Sequence, residues 1–200
     1  MTTATRKRGL PFKRLSKAAR ARAIENTRDF LREDLCCEHI TELFREHLSE
    51  HGFPDMELSW SLSYCQGDGV AFKGPIDMDE LAKHEPYIVE QLARGVLLGI
   101  NPDDWEWSGK IEQHGHYSHW NSMDVELEWA LMWEEETEHA KSLTEICRAI
   151  RAHIAERCKQ LSREMEKMGY DEIEYQTSEE HAIETIEDND WRFDRDGDLL

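Results

Sequence analysis

Three histidines lie close together in the pattern His114-x-His116-x-x-His119. If residues 105–117 form a strand, His114 and His116 share one face, and His119 can turn back toward them from the following loop. Imidazole nitrogens and carboxylates are ligands of zinc and related divalent cations. The pattern therefore indicates a candidate divalent-metal site, with Asp68 as a further ligand if two predicted hairpins adjoin. The simpler interpretation is that these are ordinary members of the chain's ten histidines.

The segment Gln66-Gly67-Asp68-Gly69 is a candidate ligand-binding loop, and Tyr117 is a further candidate ligand contact. Glycines let the backbone approach a ligand closely, and a carboxylate accepts hydrogen bonds or binds cations. A simpler interpretation is also open, in which the glycines supply positive φ angles and Asp68 accepts hydrogen bonds from its own turn. The segment is not a nucleotide-binding fingerprint, because neither GxGxxG nor GxxxxGK[ST] precedes a helix.

Candidate catalytic groups are harder to single out. Cys65 adjoins Gln66 but belongs to no identifiable Cys/His pair, and the carboxylates are too numerous to reveal one acid–base couple. The catalytic residues are therefore unknown, and the sequence favours a protein that is not an enzyme. A divalent metal is the one cofactor that the sequence suggests. The five tryptophans between residues 105 and 133 are interpreted as packing residues rather than as a platform for stacking bases.

Charge is unevenly distributed along the 200-residue chain, whose net charge is −19. The first 22 residues hold eight basic and no acidic side chains, whereas the remainder holds 16 basic and 43 acidic ones. The basic arm either contacts a nucleic-acid backbone or folds against the protein's own acidic surface. The strongly negative body would repel DNA phosphates, which argues against direct DNA binding.

Acidic residues cluster in the C-terminal half of the sequence. Such arrays can imitate the phosphates of DNA and occupy a basic groove of a nucleic-acid enzyme. A solvated surface that keeps the protein dispersed is the simpler interpretation. The interaction candidates are Glu134, Glu135, Glu136, Glu138, Glu184, Glu187, Asp188 and Asp190.

Periodicity predicts an α+β fold, with a four-stranded antiparallel sheet of two hairpins packed against several helices. The predicted strands are 57–64, 70–72, 105–117 and 121–133. A helical region that Ser16 caps runs to Glu50, as one helix or as two with a break near Cys36-Cys37. Asp79 is predicted to cap a helix over Glu80–Leu98. A long helix is predicted over Thr137–Lys167 with Gly169 ending it, and Ser178 is predicted to cap a last short helix.

The organisation predicted is a basic flexible leader over 1–11, one α+β domain over 12–192 and an acidic mobile tail over 193–200. Five cysteines in no repeated spacing indicate reduced thiols. No apolar run is long enough to cross a membrane, and the N-terminus has no apolar segment typical of a signal peptide. These features predict a protein of the cytoplasm that does not bind membranes; they leave its oligomeric state open.

Several blocks of the sequence occur in a recognisable order. They are Leu15-Ser16-x-x-Ala19-x-x-x-Ala23, Ser63-Tyr64-Cys65-Gln66-Gly67-Asp68-Gly69-Val70-Ala71-Phe72, His116-Tyr117-Ser118-His119 with Val125, Tyr175-x-Thr177-Ser178-Glu179-Glu180, and a final Phe-x-x-Asp-Gly. Over residues 12–197 the chain resembles a family of uncharacterised phage and prophage proteins with a serine-glutamine-glycine-aspartate-glycine hairpin. Cys65 departs from this pattern, which usually has serine there.

The resemblance implies an origin in a phage or another mobile element. Together with the acidic surface, it favours a small phage protein that binds and inhibits a host protein of nucleic-acid handling or defence, by DNA mimicry. The alternative is a small-ligand or metal-binding protein, or an enzyme, built on the Gln66–Gly69 hairpin and the three histidines.

Overall fold

Pairs of helices follow pairs of strands along most of the described chain, which comprises residues 9–99, 105–131 and 138–200 of a computed structural model. The strands are β1 (Leu10–Pro11), β2 (Glu57–Ser61), β3 (Gly69–Pro75), β4 (Trp105–Gln113), β5 (Met123–Leu131) and β6 (Arg192–Phe193). The helices are α1 (Lys17–Glu33), α2 (Cys37–Glu50), α3 (Met78–His84), α4 (Pro86–Leu97), α5 (Glu138–Gln176) and α6 (Glu179–Asp188).

The predicted α+β fold with a four-stranded antiparallel sheet is confirmed. The strands lie in the order β2-β3-β4-β5, so each predicted hairpin forms and the two hairpins pair through β3 and β4. The strand ends differ from prediction, because β2 ends at Ser61 and β4 ends at Gln113. Both connecting loops are consequently longer than the sequence alone indicated.

Alternation along β4 and β5 gives the sheet an apolar and a polar face. Trp107 lies opposite Trp129, and Ile111 lies opposite Val125. Both tryptophans pack against Leu143 of α5. On this face the α5 side chains also bond the strand backbone, since the Arg151 Nε donates to the Val125 carbonyl at 2.6 Å. The alternate residues of both strands face away from α5 and are mostly exposed.

Helix α5 is 39 residues long and passes through Gly169, so the prediction that this glycine ends the helix is wrong. A Cβ at this position would overlap the Leu62 Cδ1 and lie 2.8 Å from the Phe44 Cζ. Glycine costs a helix about 1 kcal/mol relative to alanine. Here that cost is offset because only glycine lets these two side chains reach the helix backbone.

The predicted helix over Glu80–Leu98 is two helices, because Pro86 starts α4 and removes one backbone donor. The prediction that Asp79 is the N-cap is wrong, since the Asp77 side chain accepts from the Glu80 amide at 2.9 Å. Two predicted N-caps are confirmed, since Ser16 caps α1 and Ser178 caps α6. Of the two alternatives for the first helical region, the structure has two helices, with a break between α1 and α2.

The described chain forms two compact units. The central unit is Glu38–Gly169; the terminal unit comprises residues up to Cys37 together with Tyr170–Leu200. The single domain over 12–192 and the mobility of 193–200 stay predictions. Within the terminal unit, Phe193 is 1% exposed and pairs with Leu10, and its ring contacts Phe12 at 6.2 Å between centroids.

Basic residues of the terminal unit bind acidic residues of the same unit. The Lys13 Nζ lies 3.3 Å from a Glu187 carboxylate oxygen, and the Arg22 guanidinium lies 3.0 Å from Asp198. These two residues of the basic arm therefore form ion pairs with acidic groups of the protein itself. Arg6, Lys7 and Arg8 lie outside the described residues. None of the helices that the structure describes is long and apolar enough to span a bilayer.

Candidate functional site

The loop between β2 and β3 meets the loop between β4 and β5. Gly67 has a φ of +100°, and a Cβ there would lie 2.5 Å from the Tyr117 Cδ1. Gly69 has a φ of +145°, and a Cβ there would lie 2.6 Å from the Ser118 carbonyl oxygen. Both glycines therefore serve two needs, a backbone conformation that side chains disfavour and the close approach of the second loop. The two predicted hairpins therefore adjoin, as the hypothesis of a site shared by Asp68 and the histidines required.

Asp68 holds the first loop together. Its side chain is buried, and its Oδ2 accepts from the backbone amides of Ser63 and Cys65 at 2.6 and 2.9 Å. Its Oδ1 accepts from the Ser61 hydroxyl at 2.9 Å. Both carboxylate oxygens thus stabilise the turn, which is the simpler of the two interpretations of this residue.

A cavity of about 570 Å³ lies where the two loops meet. Its walls offer amide, hydroxyl, imidazole and carboxylate groups beside the Tyr117 ring. The lining residues are Gln66, Gly67, His114, Tyr117, His119, Asn121, Ser122 and Asp124. The cavity therefore brings together four of the predicted ligand or metal candidates besides glycine: Gln66, His114, Tyr117 and His119. Asp68 instead forms its hydrogen bonds within its own turn.

The predicted metal set is not assembled. The His114 Nε2 lies 3.3 Å from the Asp124 Oδ2, and the His119 Nδ1 accepts from the Asn121 amide at 3.1 Å. His116 is exposed. The ligand atoms of Asp68 and these three histidines do not converge on one point, so the sequence pattern of histidines does not make a metal centre here. The reason is that β4 ends at Gln113, which puts all three histidines in a loop rather than two on one strand face.

Polar residues beneath the cavity fix the second loop to the sheet. The Ser122 hydroxyl donates to the Tyr117 carbonyl at 2.7 Å, and the Gln113 amide donates to the same oxygen at 3.2 Å. The Ser59 hydroxyl of β2 donates to the Gln113 Oε1 at 2.7 Å, and the Ser118 hydroxyl donates to the Ser59 oxygen at 3.3 Å. This network joins the loop to β2 as well as to β4.

The outer face of the β4–β5 hairpin is acidic. We call it the acidic face; its residues are Glu106, Lys110 and Glu112 of β4 with Asp124, Glu126 and Glu128 of β5. The Lys110 ammonium lies 2.6 Å from Glu112 and 3.0 Å from Glu126. Its hydrogen bond holds the pKa of Glu112 below the usual value, and the two carboxylates raise the pKa of Lys110. The remaining carboxylates give this face an excess of negative charge.

Comparison with known protein families matches residues 37–181 to a family described as a domain of unknown function, DUF8835. The chain belongs to this family. The DUF8835 segment includes both loops, the cavity and the acidic face. No curated protein matches the chain, and no solved structure does.

None of the eight acidic residues singled out from the sequence belongs to the acidic face. Glu134, Glu135 and Glu136 lie outside the described residues, and Glu138 is the first residue of α5. Of the others, Glu184 accepts a hydrogen bond from the Tyr175 hydroxyl, which raises the pKa of Tyr175, and Glu187 binds Lys13. Asp188 is the last residue of α6, and Asp190 follows it with a φ of +49°.

Sequence reasoning missed the acidic face and three cavity residues, Asn121, Ser122 and Asp124. The alternation of Asp124, Glu126 and Glu128 with apolar residues was visible and predicted the strand. Its partner carboxylates on β4 were identifiable only after the register of the hairpin placed Glu112 opposite Asp124. One signal was available, because alternate acidic residues on neighbouring strands must share a face.

Proposed function

We propose that this protein binds a basic surface on a host protein that normally handles nucleic acid, and inhibits it by occupying the site of the DNA phosphates. We propose also that the protein originates from a phage, where such an inhibitor would oppose host defence. The observation that carries the proposal is the acidic face, an exposed array of carboxylates on a paired β-hairpin. The resemblance to phage proteins supports the origin.

The geometry of the acidic face suits a partner with several fixed cations. Alternate residues of an antiparallel strand are about 6.8 Å apart, and neighbouring strands are about 4.8 Å apart. Carboxylates on β5 at positions 124, 126 and 128 therefore form a row, with those of β4 beside it. Because backbone pairing holds both rows, the array keeps its spacing when a partner binds. A basic groove that recognises regularly spaced phosphates is complementary to such an array.

Electrostatic attraction of this kind has a characteristic salt dependence. The Debye screening length between exposed charges is about 8 Å at physiological ionic strength and about 3 Å at 1 M salt. The complex should therefore weaken as salt rises. Duplex DNA should compete with the protein because both occupy the same cations.

The test is capture from host lysate with the tagged full chain, followed by elution with duplex DNA. The matched variant carries Asp124→Asn, Glu126→Gln and Glu128→Gln, which remove charge but keep size. The proposal expects a nucleic-acid-binding protein that DNA and salt release and that the variant fails to retain. The control variant carries Glu38→Gln, Glu46→Gln and Glu90→Gln, three exposed positions of the central unit away from β4 and β5, and should retain it.

Two results would contradict the proposal. The first is a partner that the neutralised acidic face retains as well as the wild type does. The second is capture that duplex DNA leaves unchanged, because a site that mimics DNA must lose to DNA in competition.

A second candidate function is favoured by the cavity between the two loops. Its volume of about 570 Å³ and its mixture of an aromatic ring with amide, imidazole and carboxylate groups suit a small polar molecule. The measurement is a nuclear magnetic resonance screen of polar metabolites, read at the amides of residues 66–69 and 114–122. Binding through the cavity should be lost in Tyr117→Ala and kept in Glu126→Gln with Glu128→Gln, which neutralises acidic-face residues that do not line the cavity. Shifts that Tyr117→Ala leaves intact would exclude this candidate.

A further inference from the structure

Two histidines and a glutamate converge at the end of α2, far along the chain from the histidines that the sequence pattern suggested. His47 and His51 are one helical turn apart, and Glu164 lies on α5. Their ligand atoms all lie within 4.8 Å of one another. Among the residues that the structure describes, these three form the group of metal-ligand type that comes together in this way.

The separation of His47 and Glu164 suits two ligands of a tetrahedral metal. The His47 Nε2 lies 3.1 Å from the Glu164 Oε2. Zinc binds nitrogen and carboxylate oxygen at about 2.0–2.2 Å, so two ligands of a tetrahedral ion are about 3.3 Å apart. The His47 side chain is 16% exposed and the Glu164 side chain 48% exposed. The group is therefore largely shielded on the side of His47 and open to water on the side of Glu164.

Two of the three ligands, His51 and Glu164, have a second polar contact. The His51 Nδ1 lies 2.7 Å from the His47 carbonyl oxygen. A carbonyl only accepts, so Nδ1 carries the proton and Nε2 keeps its lone pair, as in histidines that bind metals. The second oxygen of Glu164 lies 4.0 Å from the Arg157 guanidinium, whose Nε donates to Glu85 at 2.9 Å. Arg157 is thus held mainly by another carboxylate.

The chain end of α2 is rigid at this point. Gly52 has a φ of +83°, and the Phe53 amide donates to the Leu48 carbonyl at 2.9 Å, which closes the helix in the manner of a Schellman motif. Phe53 is 1% exposed. His51 is therefore placed by a buried neighbour rather than by a mobile loop, and a ligand set so placed loses little freedom when it binds an ion.

We propose that His47, His51 and Glu164 form a binding site for a divalent cation of the zinc class, with water in the fourth position. Two imidazoles and one carboxylate match the ligand set of zinc sites that keep an open position. Imidazole nitrogens disfavour Mg²⁺ and Ca²⁺, which bind oxygen ligands. The sequence signal was the spacing His-x-x-x-His at the end of a predicted helix. The site is independent of the acidic face and of the cavity between the loops.

The test is calorimetric titration of the full chain with zinc chloride at neutral pH. We expect one equivalent to bind, and we expect His51→Gln and Glu164→Gln each to weaken binding by at least about 100-fold. The matched control is His114→Gln with His116→Gln, which removes two exposed histidines and should leave the isotherm unchanged. Zinc should also raise the melting temperature of the wild type and of the control but not of the two site variants, because binding to the folded state stabilises it.

Cysteines are the competing ligands, since Cys36, Cys37 and Cys65 are exposed. The titration is therefore repeated after alkylation of these thiols, and the proposal expects the same affinity. Circular dichroism of each variant checks that its fold is intact. The proposal is overturned if the wild type and the two site variants give the same isotherm, if alkylation abolishes binding, or if the His114/His116 variant loses it.

Discussion

The Tyr117 ring lies directly across Gly67, so closely that a side-chain carbon at residue 67 would be 2.5 Å from the ring. Fifty residues separate the two in sequence, and each lies in a different hairpin loop. Tyr117 is nevertheless 65% exposed, and Gly67 lies against the Cδ1–Cε1 side of its ring. This contact is what brings the Gln66–Gly69 segment and the histidine loop into one wall of a cavity.

Replacing Gly67 should separate the two loops. Gly67→Ala places a β-carbon where φ is +100° and the Tyr117 ring already lies, so we expect a loss of about 3 kcal/mol in the free energy of unfolding. The matched control is Gly115→Ala, where φ is +82° but nothing lies within 4 Å of the new carbon, and where about 1 kcal/mol is expected. Urea denaturation of both variants measures the difference. Equal losses would show that the ring contact contributes nothing.

Asp68 should matter for stability rather than for metal binding. Asp68→Asn keeps the size of the side chain but replaces one carboxylate oxygen by an NH₂ group, which cannot accept a hydrogen bond from a backbone amide. We therefore expect a loss of about 1–3 kcal/mol in the free energy of unfolding. Amide hydrogen exchange at Ser63 and Cys65 should accelerate with it. Unchanged exchange at these two amides would contradict the assigned role of the carboxylate. Zinc affinity should stay that of the wild type.

Gly169 should resist the substitution that normally stabilises a helix. In most helices Gly→Ala gains about 1 kcal/mol. Here the new methyl group meets Leu62 and Phe44, so Gly169→Ala should lose about 1–3 kcal/mol of unfolding free energy. Lys167→Ala, at an exposed position of the same helix, is the control and should change stability little. A stabilised Gly169→Ala would mean that Leu62 and Phe44 move aside freely.

The five thiols should separate into two classes of reactivity. Cys36, Cys37 and Cys65 are exposed, whereas Cys147 and Cys158 are buried. Burial also raises the pKa of both buried thiols, which lowers the fraction of reactive thiolate. Titration of the folded protein with a disulfide reagent should therefore show three thiols that react rapidly. The other two should react only as fast as the surrounding structure opens. Five rapid thiols would contradict the packing of α5.

The Cys158 thiol should make the protein less stable in alkali. Burial raises its pKa from 9.0 to about 12, so between these values the unfolded chain loses a proton that the folded chain keeps. The unfolding free energy then falls as pH rises, by about 1.4 kcal/mol per unit. Between about pH 8.5 and 10.5, the stability advantage of the wild type over Cys158→Ala should shrink by roughly 2 kcal/mol. Urea denaturation at both pH values checks this, and a constant difference would contradict it.

Local patterns were sufficient for much of the fold. Alternation of Val125, Leu127 and Trp129 with acidic residues predicted β5. A serine directly before the helical pattern predicted the N-caps Ser16 of α1 and Ser178 of α6. These features depend on residues only a few positions apart, so the spacing of residue types in the sequence is enough to predict them. The helix that continues through Gly169 was mispredicted for the opposite reason, because its stabilising contacts come from Phe44 and Leu62.

The candidate sites divide in the same way. The sequence by itself identified the Gln66–Gly69 hairpin and the three neighbouring histidines as segments that carry chemical groups, whereas the alternating acids of β5 predicted a strand only. Only the tertiary structure decided that Asp68 serves its own turn, that the histidines of the loop do not converge, and that His47 and His51 meet Glu164. The reason is physical. A ligand set requires atoms a few ångströms apart, and the distance between α2 and α5 is set by core packing rather than by spacing along the chain.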